Sequence, residues 1–317
     1  MRTLAILLCV WLGCSGFVFS VVGDSQGDYD PSGEKNLNKD RVVEWQEQIN
    51  PISLVLSRHD VDFSLHVGDI VEDGRYQVSW DRDLFSNLRV YLDHAPVYPA
   101  IGNHEYNDSR FWEYFDVVPE GRAYYSWTRG NAHFIVLDTE RGWYEIYEEG
   151  QEPEGSEVYR RSEVNGRVEV IVRMKEGEWE SQMSWLEAEL EANKDKPFIF
   201  VSSHHPVNYK NLVIEDVRIL LEKYKVTAAF AGHRHVYAMH KPDDVFYFQS
   251  GGMCTTNDVP FQDAVQAARQ SGENTEVFTN YVGIQCFLLV DVKESQATVS
   301  AFNIDNVKFA EYIILAR

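Results

Sequence analysis

The protein is a chain of 317 residues with 44% hydrophobic, 25% charged and 13% aromatic residues. This composition is typical of a globular protein and excludes a fibrous or a disordered chain, and the length allows one large domain or two small ones. The 29 Lys and Arg residues against 50 Asp and Glu residues give a formal net charge of −21 at pH 7, which argues against binding to nucleic acid or to an anionic membrane, because both attract basic surfaces.

Residues 1–16 have the pattern of a secretory signal peptide. Arg2 precedes an apolar run from Leu4 to Leu12, small residues follow it, and the run is too short to span a bilayer. The alternatives are a buried first element of an intracellular protein and a lipid attachment at Cys14. No later stretch of the sequence is long and apolar enough for a transmembrane helix. We therefore expect export to the periplasm or the extracellular space, with the cytoplasm as the alternative.

Short apolar runs alternate with longer amphipathic runs up to residue 235. The apolar runs predict strands at Phe17–Val22, Phe63–Val67, Val97–Ile101, Phe134–Leu137, Phe198–Val201 and Val226–Phe230. The amphipathic runs predict helices at Lys39–Asn50, Gln77–Asp93, Trp179–Asn193 and Leu212–Tyr224. Strands separated by helices imply crossover connections, and they predict an α/β fold of three or four layers.

The pattern changes after residue 235, where strand-like runs occur with little helix. The runs Phe246–Gln249, Cys286–Val292 and Ala297–Phe302 predict a second, more antiparallel sheet. Two stretches look inserted. Residues 140–157 carry seven glutamates and are loop-like by composition, with a strand-like pair after them around Val164–Met174, and residues 253–280 are polar. We therefore expect residues 17–317 to form a single domain with a first insert near 140–178 and a second insert near 253–280.

Five short segments place side chains that can bind metal at or just after the ends of strand-like runs. They are Gly23–Gly27, Gly68–Asp69, Gly102–Glu105, His204–Pro206 and Gly232–His235. Parallel α/β sheets bind ligands at the carboxyl ends of their strands, so these segments can converge on one crevice. Each segment alone is a weak signal and is better explained as a turn or as a hydrogen-bonded core residue. All five in this order are hard to explain in that way.

The five segments resemble the motifs of the calcineurin-like metallophosphoesterase superfamily, and specifically of its purple-acid-phosphatase-like branch. The matching residues are Asp24, Asp69, Asn103 with His104, His204, and His233 with His235. The match spans residues 24–235, about two-thirds of the chain, and Tyr124–Ser126 supports it. The resemblance implies an αββα four-layer sandwich of two mixed β-sheets flanked by helices, with a two-metal site.

The resemblance also implies a role for each matching residue. Asp69 would bridge two divalent ions, Asp24 and His235 would complete the first metal position, and Asn103, His204 and His233 the second. Such a donor set admits Mn, Zn, Fe or Mg. A hydroxide held between two ions would attack phosphorus in line, and His104 would protonate the leaving alcohol as a general acid.

Two positions depart from the family pattern. Gln26 stands where many members have His. As a neutral group it is either a weak ligand or a residue that contacts the ligands without binding the metal. Glu72 stands where purple enzymes have the Tyr that binds ferric iron. We therefore expect two divalent ions or a mixed pair instead of a purple iron centre.

The function predicted from these residues is hydrolysis of a small phosphomonoester. Phosphodiesterase or pyrophosphatase activity on the same ligands is one alternative, and a catalytically inactive metal-binding recognition module is another. Asp69 and His104, whose loss would favour the inactive module, are both present. The candidate substrate contacts are His205, Tyr106, Arg141 and Tyr209, for which ordinary packing or solvent exposure is the alternative explanation.

Overall fold

The structure is a computed structural model. It describes residues 16–27, 50–106, 108–119, 121–140, 144–151, 157–164, 167–173, 176–207, 214–250, 252–253, 280–282 and 285–317. The predicted signal segment up to residue 15, residues 39–49 of the first predicted helix and most of the second insert lie outside these residues.

The described residues form sixteen strands and six short to medium α-helices. The strands are β1 (Phe17–Val22), β2 (Phe63–His66), β3 (Val97–Pro99), β4 (Tyr125–Arg129), β5 (Ala132–Val136), β6 (Tyr144–Glu148), β7 (Glu157–Val164), β8 (Arg167–Arg173), β9 (Phe198–Ser202), β10 (Ala228–Ala231), β11 (Tyr237–His240), β12 (Phe246–Gln249), β13 (Asn280–Val282), β14 (Cys286–Val292), β15 (Gln296–Asn303) and β16 (Lys308–Leu315). The helices are α1 (Pro51–Leu56), α2 (Gln77–Ser79), α3 (Arg89–His94), α4 (Arg110–Tyr114), α5 (Glu176–Ala192) and α6 (Glu215–Lys223).

Two large mixed sheets carry the fold. The first has six strands in the order β16-β15-β14-β1-β2-β3, in which β1, β2 and β3 are parallel and β14 is antiparallel to β1. The second has seven strands in the order β13-β11-β12-β10-β9-β5-β4, in which β5, β9, β10 and β12 are parallel. A third sheet of three antiparallel strands, β6-β8-β7, lies in the first insert.

The two large sheets pack face to face through aromatic side chains. The Phe19 ring of β1 lies 5.3 Å, centroid to centroid, from both Phe134 of β5 and Phe200 of β9, and 6.0 Å from Phe230 of β10. All four side chains are at most 1% exposed. Strand side chains alternate between the two faces of a sheet. Val201, which follows Phe200 in β9, therefore points to the opposite face and packs in the cluster formed with the outer helices.

Helices cover both outer faces. On the first sheet, α1 and the segment around Trp80 and Tyr91 form one buried apolar cluster. On the second sheet, α5 and α6 form another cluster through Leu186 and Val217. Helix, sheet, sheet and helix therefore form four layers, and the predicted αββα class is confirmed.

The helix predicted over Gln77–Asp93 is interrupted in the structure. A π-helix at Trp80–Asn87 follows α2, and Leu88 separates it from α3 with φ −95° and ψ 5°. The Leu88 N–H donates to the Asp83 carbonyl five residues earlier, at 3.2 Å. The Asp83 carboxylate is buried and accepts from the Glu72 N–H at 2.8 Å. The wider turn thus places Asp83 under the loop after β2, a contact that hydrophobic periodicity does not reveal.

The pattern of the strands after residue 235 predicts a sheet of their own. The structure differs, because these strands join the two large sheets. Strands β11 to β13 extend the second sheet, and β14 to β16 extend the first. Their pairing depends on contacts far away in sequence, such as the one between Phe19 and Val290. Local pattern predicts these strands but not the sheet that each of them joins.

Residues 144–148 form strand β6, where composition predicts a loop. This strand pairs with β8 from Tyr144 opposite Arg173 to Glu148 opposite Glu169. The β-branched and aromatic residues between the glutamates favour a strand once a partner is available. No helix within the described ranges has the length and apolar character needed to cross a bilayer.

Candidate metal centre

The five predicted segments converge because they follow parallel strands of the two packed sheets. Asp24 follows β1 and donates its N–H to the Gly68 carbonyl after β2, at 3.0 Å. Gly232 follows β10 and donates to the His204 carbonyl after β9, also at 3.0 Å. The His233 N–H then donates to Asp24 Oδ1 at 2.7 Å, which joins the loops of the two sheets.

Four of the predicted ligands have a left-handed backbone. The φ angles are 52° at Asp24, 53° at Asp69, 69° at His233 and 50° at His235. Asp and His tolerate this region better than most residues, but it still stores strain. Such strain concentrates at functional sites, where the surrounding structure holds the chain in place.

Two glycines allow the loops to approach closely. Gly68 has φ +88°, and a Cβ atom there would lie 2.6 Å from His204 Nδ1. A Cβ atom on Gly102 would overlap both the backbone nitrogen and the carboxylate of Asp69. The loop that carries Asn103 can therefore pack directly on the loop that carries Asp69.

Asp69 lies at the middle of the cluster and is 2% exposed. Its Oδ1 accepts from the His104 N–H at 2.9 Å, and its Oδ2 lies 3.1 Å from His204 Nε2. The Gln26 amide reaches Asp69 Oδ2 from the other side at 3.5 Å. One carboxylate thus faces both groups of predicted ligands.

Asn103, His204 and His233, the predicted ligands of the second metal position, form one of these groups. His204 Nε2 lies 3.0 Å from Asn103 Oδ1 and 3.2 Å from His233 Nδ1, and the last two atoms are 3.1 Å apart. The other His204 nitrogen, Nδ1, lies 2.9 Å from the Val67 carbonyl, to which it donates. In a neutral imidazole Nε2 then carries a lone pair that faces the oxygens of Asn103 and Asp69.

Asp24 and His235, the predicted ligands of the first metal position, form the other group together with Gln26. His235 Nε2 lies 3.6 Å from Asp24 Oδ1 and 3.3 Å from Gln26 Nε2. Asp24 is fully buried, and within the described part of the chain its Oδ2 and the Oε1 of Gln26 have no hydrogen-bond partner. Buried oxygens of this kind are unfavourable without a donor or a cation.

Burial and the charges of neighbouring groups shift the pKa values of three residues of the centre. Burial raises the pKa of Asp24 to about 6, against the opposing effect of His235 and His204. Burial acts to lower the pKa of His204, but the nearby Asp69 carboxylate raises it to about 10. Burial likewise acts to raise the pKa of Asp69, and His204 holds it below its ordinary value. The attraction between Asp69 and His204 therefore outweighs the effect of burial on both groups.

These observations fit the binding of divalent metal. A cation between these groups would bind the lone pairs that face one another and the shared Asp69 carboxylate. It would also offset the burial of the two oxygens that have no partner among the described residues, Asp24 Oδ2 and Gln26 Oε1. Ligand atoms of Asp24, Asp69 and His204 lie within 4.8 Å of one another. The mixture of carboxylate, amide and imidazole donors suits several divalent ions.

His104 lies beside this centre and is held at both ends. Its backbone N–H donates to Asp69, and its ring nitrogen Nδ1 donates to the Glu72 carbonyl at 2.5 Å. Nε2 is therefore the nitrogen that can give or take a proton.

Glu105 is a residue of the site whose role the sequence reasoning missed. It is fully buried, and its carboxylate accepts from four backbone N–H groups, those of Asp69, Ile70, Val71 and Gly102. Burial, followed by the charge of Asp69, raises the pKa of Glu105 to about 7. The only signal in the sequence was its place at the end of Gly102–Glu105.

His205 and Tyr106 are the two candidate substrate contacts that the structure describes. His205 is 1% exposed, and its Nδ1 lies 3.0 Å from Oε1 of Glu140, a second residue that the sequence reasoning missed. Tyr106 is 50% exposed, and the Arg75 guanidinium lies 4.0 Å from its ring centroid. Arg141 and Tyr209 lie outside the described residues.

Comparison with known proteins gives a family match and distant relatives. The model of the calcineurin-like phosphoesterase family matches residues 17–237. The chain is 22% identical over 275 residues to a protein of Arabidopsis thaliana named probable inactive purple acid phosphatase 24, and this match covers 75% of the chain and 37% of that protein. The chain therefore spans little more than a third of the length of its curated relative.

Two solved structures have a similar fold. The purple acid phosphatase PPD1 from seeds of yellow lupin (Lupinus luteus) superposes with a TM-score of 0.59 at 16% identity, over 94% of this chain and 53% of that one. GAP50, the anchor in the inner membrane complex of Plasmodium, superposes with a TM-score of 0.59 at 12% identity, over 95% of this chain and 89% of that one. At these identities the likeness concerns the fold alone.

Proposed function

Because the chain belongs to the calcineurin-like phosphoesterase family, we propose that it is a metal-dependent phosphoesterase that hydrolyses small phosphomonoesters. The observation that carries this proposal is the convergence of Asp24, Asn103, His204 and His233 on the buried carboxylate of Asp69. The sequence match to the Arabidopsis protein, whose name is that of a purple acid phosphatase, supports the purple-acid-phosphatase-like branch.

Each predicted ligand has a place in this proposal. Asp69 is shared by both metal positions. Asp24 and His235 hold the first position, with Gln26 as a weaker partner, and Asn103, His204 and His233 hold the second. When bound, divalent ions activate water as the nucleophile and neutralise the charge of the phosphate.

His104 acts as the general acid in this mechanism. The Glu72 carbonyl fixes the proton on Nδ1 and orients the ring, so Nε2 presents the proton that the leaving oxygen needs. The contact between the His104 N–H and Asp69 fixes the distance between the acid and the metal positions. A positioned general acid contributes roughly 10²–10⁴-fold to the rate.

The test is hydrolysis by protein stripped of metal and then supplied separately with Mn, Zn, Fe or Mg. We expect activity to return with metal, and to be higher on p-nitrophenyl phosphate than on bis-p-nitrophenyl phosphate. His104→Asn should retain its metal and lose roughly 10²–10⁴-fold in kcat on alkyl phosphates, with a smaller loss on p-nitrophenyl phosphate, whose leaving group needs little protonation. His94→Asn, a change of the same kind on α3, is the matched control.

Other outcomes of the same assay would contradict the proposal. A preference for the diester would replace the monoesterase by a phosphodiesterase. Bound metal without activity under any condition would favour a metal-binding recognition module. Equal loss on both monoesters in His104→Asn would contradict the acid role.

We also propose that the protein is exported. The support is the charged, apolar and small-residue order of residues 1–16. Sequencing the N-terminus of the protein recovered from the cell and from the medium tests this, and an intact residue 1 in the mature protein would contradict it.

A further inference from the structure

A third buried histidine, His205, faces the second metal position. Its ring centroid lies 4.2 Å from that of His233 and 4.9 Å from that of His204. Ligand atoms of the three histidines lie within 4.8 Å of one another. Imidazoles this close can bind one ion together, and His205 is absent from the ligand set that the sequence motifs predict.

The groups behind His205 orient it as a metal ligand is oriented. Its Nδ1 lies 3.0 Å from Glu140 Oε1 and 3.3 Å from Thr139 Oγ1, and its backbone N–H donates to the same Thr139 oxygen at 3.0 Å. Because Glu140 and Thr139 both lie at Nδ1, Nε2 is the nitrogen that remains to face a metal ion. Histidines that bind metal almost always have a carboxylate or a carbonyl at their second nitrogen. His204 has the Val67 carbonyl there.

Packing alone does not explain this arrangement. The Oε1 atom of Glu140 is buried and has no hydrogen-bond partner among the described residues, although it lies 3.0 Å from His205 Nδ1. A buried oxygen without a donor is unfavourable unless a positive charge lies nearby. An ion bound to His205 would supply that charge through the imidazole. The two neighbours of His205 in space, His204 and His233, are the predicted ligands of that position.

We propose that His205, held by Glu140 and Thr139, is an additional protein ligand of the metal position formed by Asn103, His204 and His233. This inference rests on the proposed function, because it requires that the centre binds divalent metal. Three imidazoles then serve the second position, whereas the first position has only His235 besides its oxygen donors and Gln26. Imidazole donors favour Zn, Co and Ni over Mg, so the second position should fill first with such ions.

The test is titration of the metal-free protein with Co²⁺, followed by absorption and by calorimetry. We expect two binding steps in the wild-type protein, a tight one and a weaker one. His205→Phe should weaken the tight step by at least 10-fold and change its Co²⁺ spectrum, and Glu140→Gln should weaken it by roughly 10-fold, the lower end of the usual effect of such supporting groups. The weaker step should stay in place in both variants.

The matched control is His133→Phe. His133 is also buried beside a glutamate, with its Nε2 3.1 Å from Glu189 Oε2, but it lies at the start of β5, at the other end of the strand from Thr139 and Glu140. Both Co²⁺ steps should be unchanged in this variant. Far-ultraviolet circular dichroism of each variant checks that it folds.

A measurement on the wild-type protein does not depend on any variant folding. X-ray absorption with one equivalent of Co²⁺ should show three imidazoles, and two imidazoles would overturn the inference, as would an unchanged tight step in His205→Phe. If the wild-type protein binds no Co²⁺, the proposed function fails as well. If it binds Co²⁺ and hydrolyses phosphoesters while His205→Phe titrates like wild type, only the role of His205 fails.

Discussion

Gly102→Ala tests whether the close approach of two loops positions the centre. The backbone of Gly102, with φ −116° and ψ 177°, is one that alanine adopts without strain. The substitution therefore acts through steric overlap of the added methyl group and not through backbone strain. The added methyl group would overlap the Asp69 backbone nitrogen and carboxylate, and would lie 3.0 Å from Glu105 Oε2. A backbone nitrogen cannot rotate away, so the Asp69 loop must shift.

The structure sets the size of two separate effects. Overpacking of this kind destabilises by typically ~1–3 kcal/mol, and the lower entropy of unfolded alanine returns ~0.4–1 kcal/mol. The expected loss of unfolding free energy is therefore about 0–2.6 kcal/mol. Moving Asp69 disturbs the carboxylate that both metal positions share, and we expect metal affinity to fall roughly 10–100-fold, as when groups that orient ligands are lost.

Gly121→Ala is the matched control because it separates stability from metal binding. Gly121 has φ +73°, and a Cβ atom there meets none of the described residues within 4 Å. Alanine in that conformation is destabilising by roughly 1–2 kcal/mol, a loss similar to that of Gly102→Ala, but without contact with Asp69. Similar stability and different metal affinity in the two variants is the expected result.

The assay has two parts. Urea unfolding in the presence of a chelator gives the unfolding free energy without any contribution from bound metal. Calorimetric titration with Mn²⁺ then gives the affinity of each folded variant. Wild-type affinity in Gly102→Ala, or an equal fall in Gly121→Ala, would refute the reasoning that loop contact positions Asp69.

Three further substitutions test other parts of the molecule. Asp69→Asn should lose both ions because the carboxylate is shared, and two ions per chain by elemental analysis would contradict this. Gln26→His should tighten the weaker metal step in a calorimetric titration, since imidazole is a better ligand than an amide, and an unchanged step would place residue 26 away from the metal. His133→Phe should make stability less dependent on pH. Burial lowers the pKa of His133 in the folded state from 6.5, so the unfolded state binds the proton more strongly, and the unfolding free energy of the wild-type protein falls as pH drops below 6.5. Parallel urea results for the two proteins between pH 7.5 and 5 would contradict this.

The sequence predicts the cluster well because each chemical group directly follows a strand. Val67 ends the run before Gly68, and Ile101 precedes Gly102, so the carboxyl end of a strand marks each turn. Parallel pairing then brings those turns to one edge, as the register of β1, β2 and β3 shows. The prediction needed only local pattern and the general rule for parallel sheets.

The supporting carboxylates could not be predicted in the same way. Glu105 satisfies N–H groups of two loops that are more than thirty residues apart, the pairs with Asp69 and Ile70 being separated by 36 and 35 positions. Glu140 begins the glutamate-rich stretch of the first insert, where nothing in the sequence distinguishes it from the six glutamates that follow up to residue 157. Their roles depend on which groups the fold buries around them.

The features that make the centre unfavourable without metal also make it ready for metal. Left-handed backbone at Asp24 and Asp69, and a buried Asp24 oxygen without a donor in the described chain, raise the free energy of the folded state. A cation bound between these groups removes the electrostatic part of that cost, and the strained loops already hold the oxygens where it would lie. Folding therefore already places the ligands where an ion would bind. They need little rearrangement when an ion arrives, and the free-energy cost of ordering them does not reduce the binding affinity.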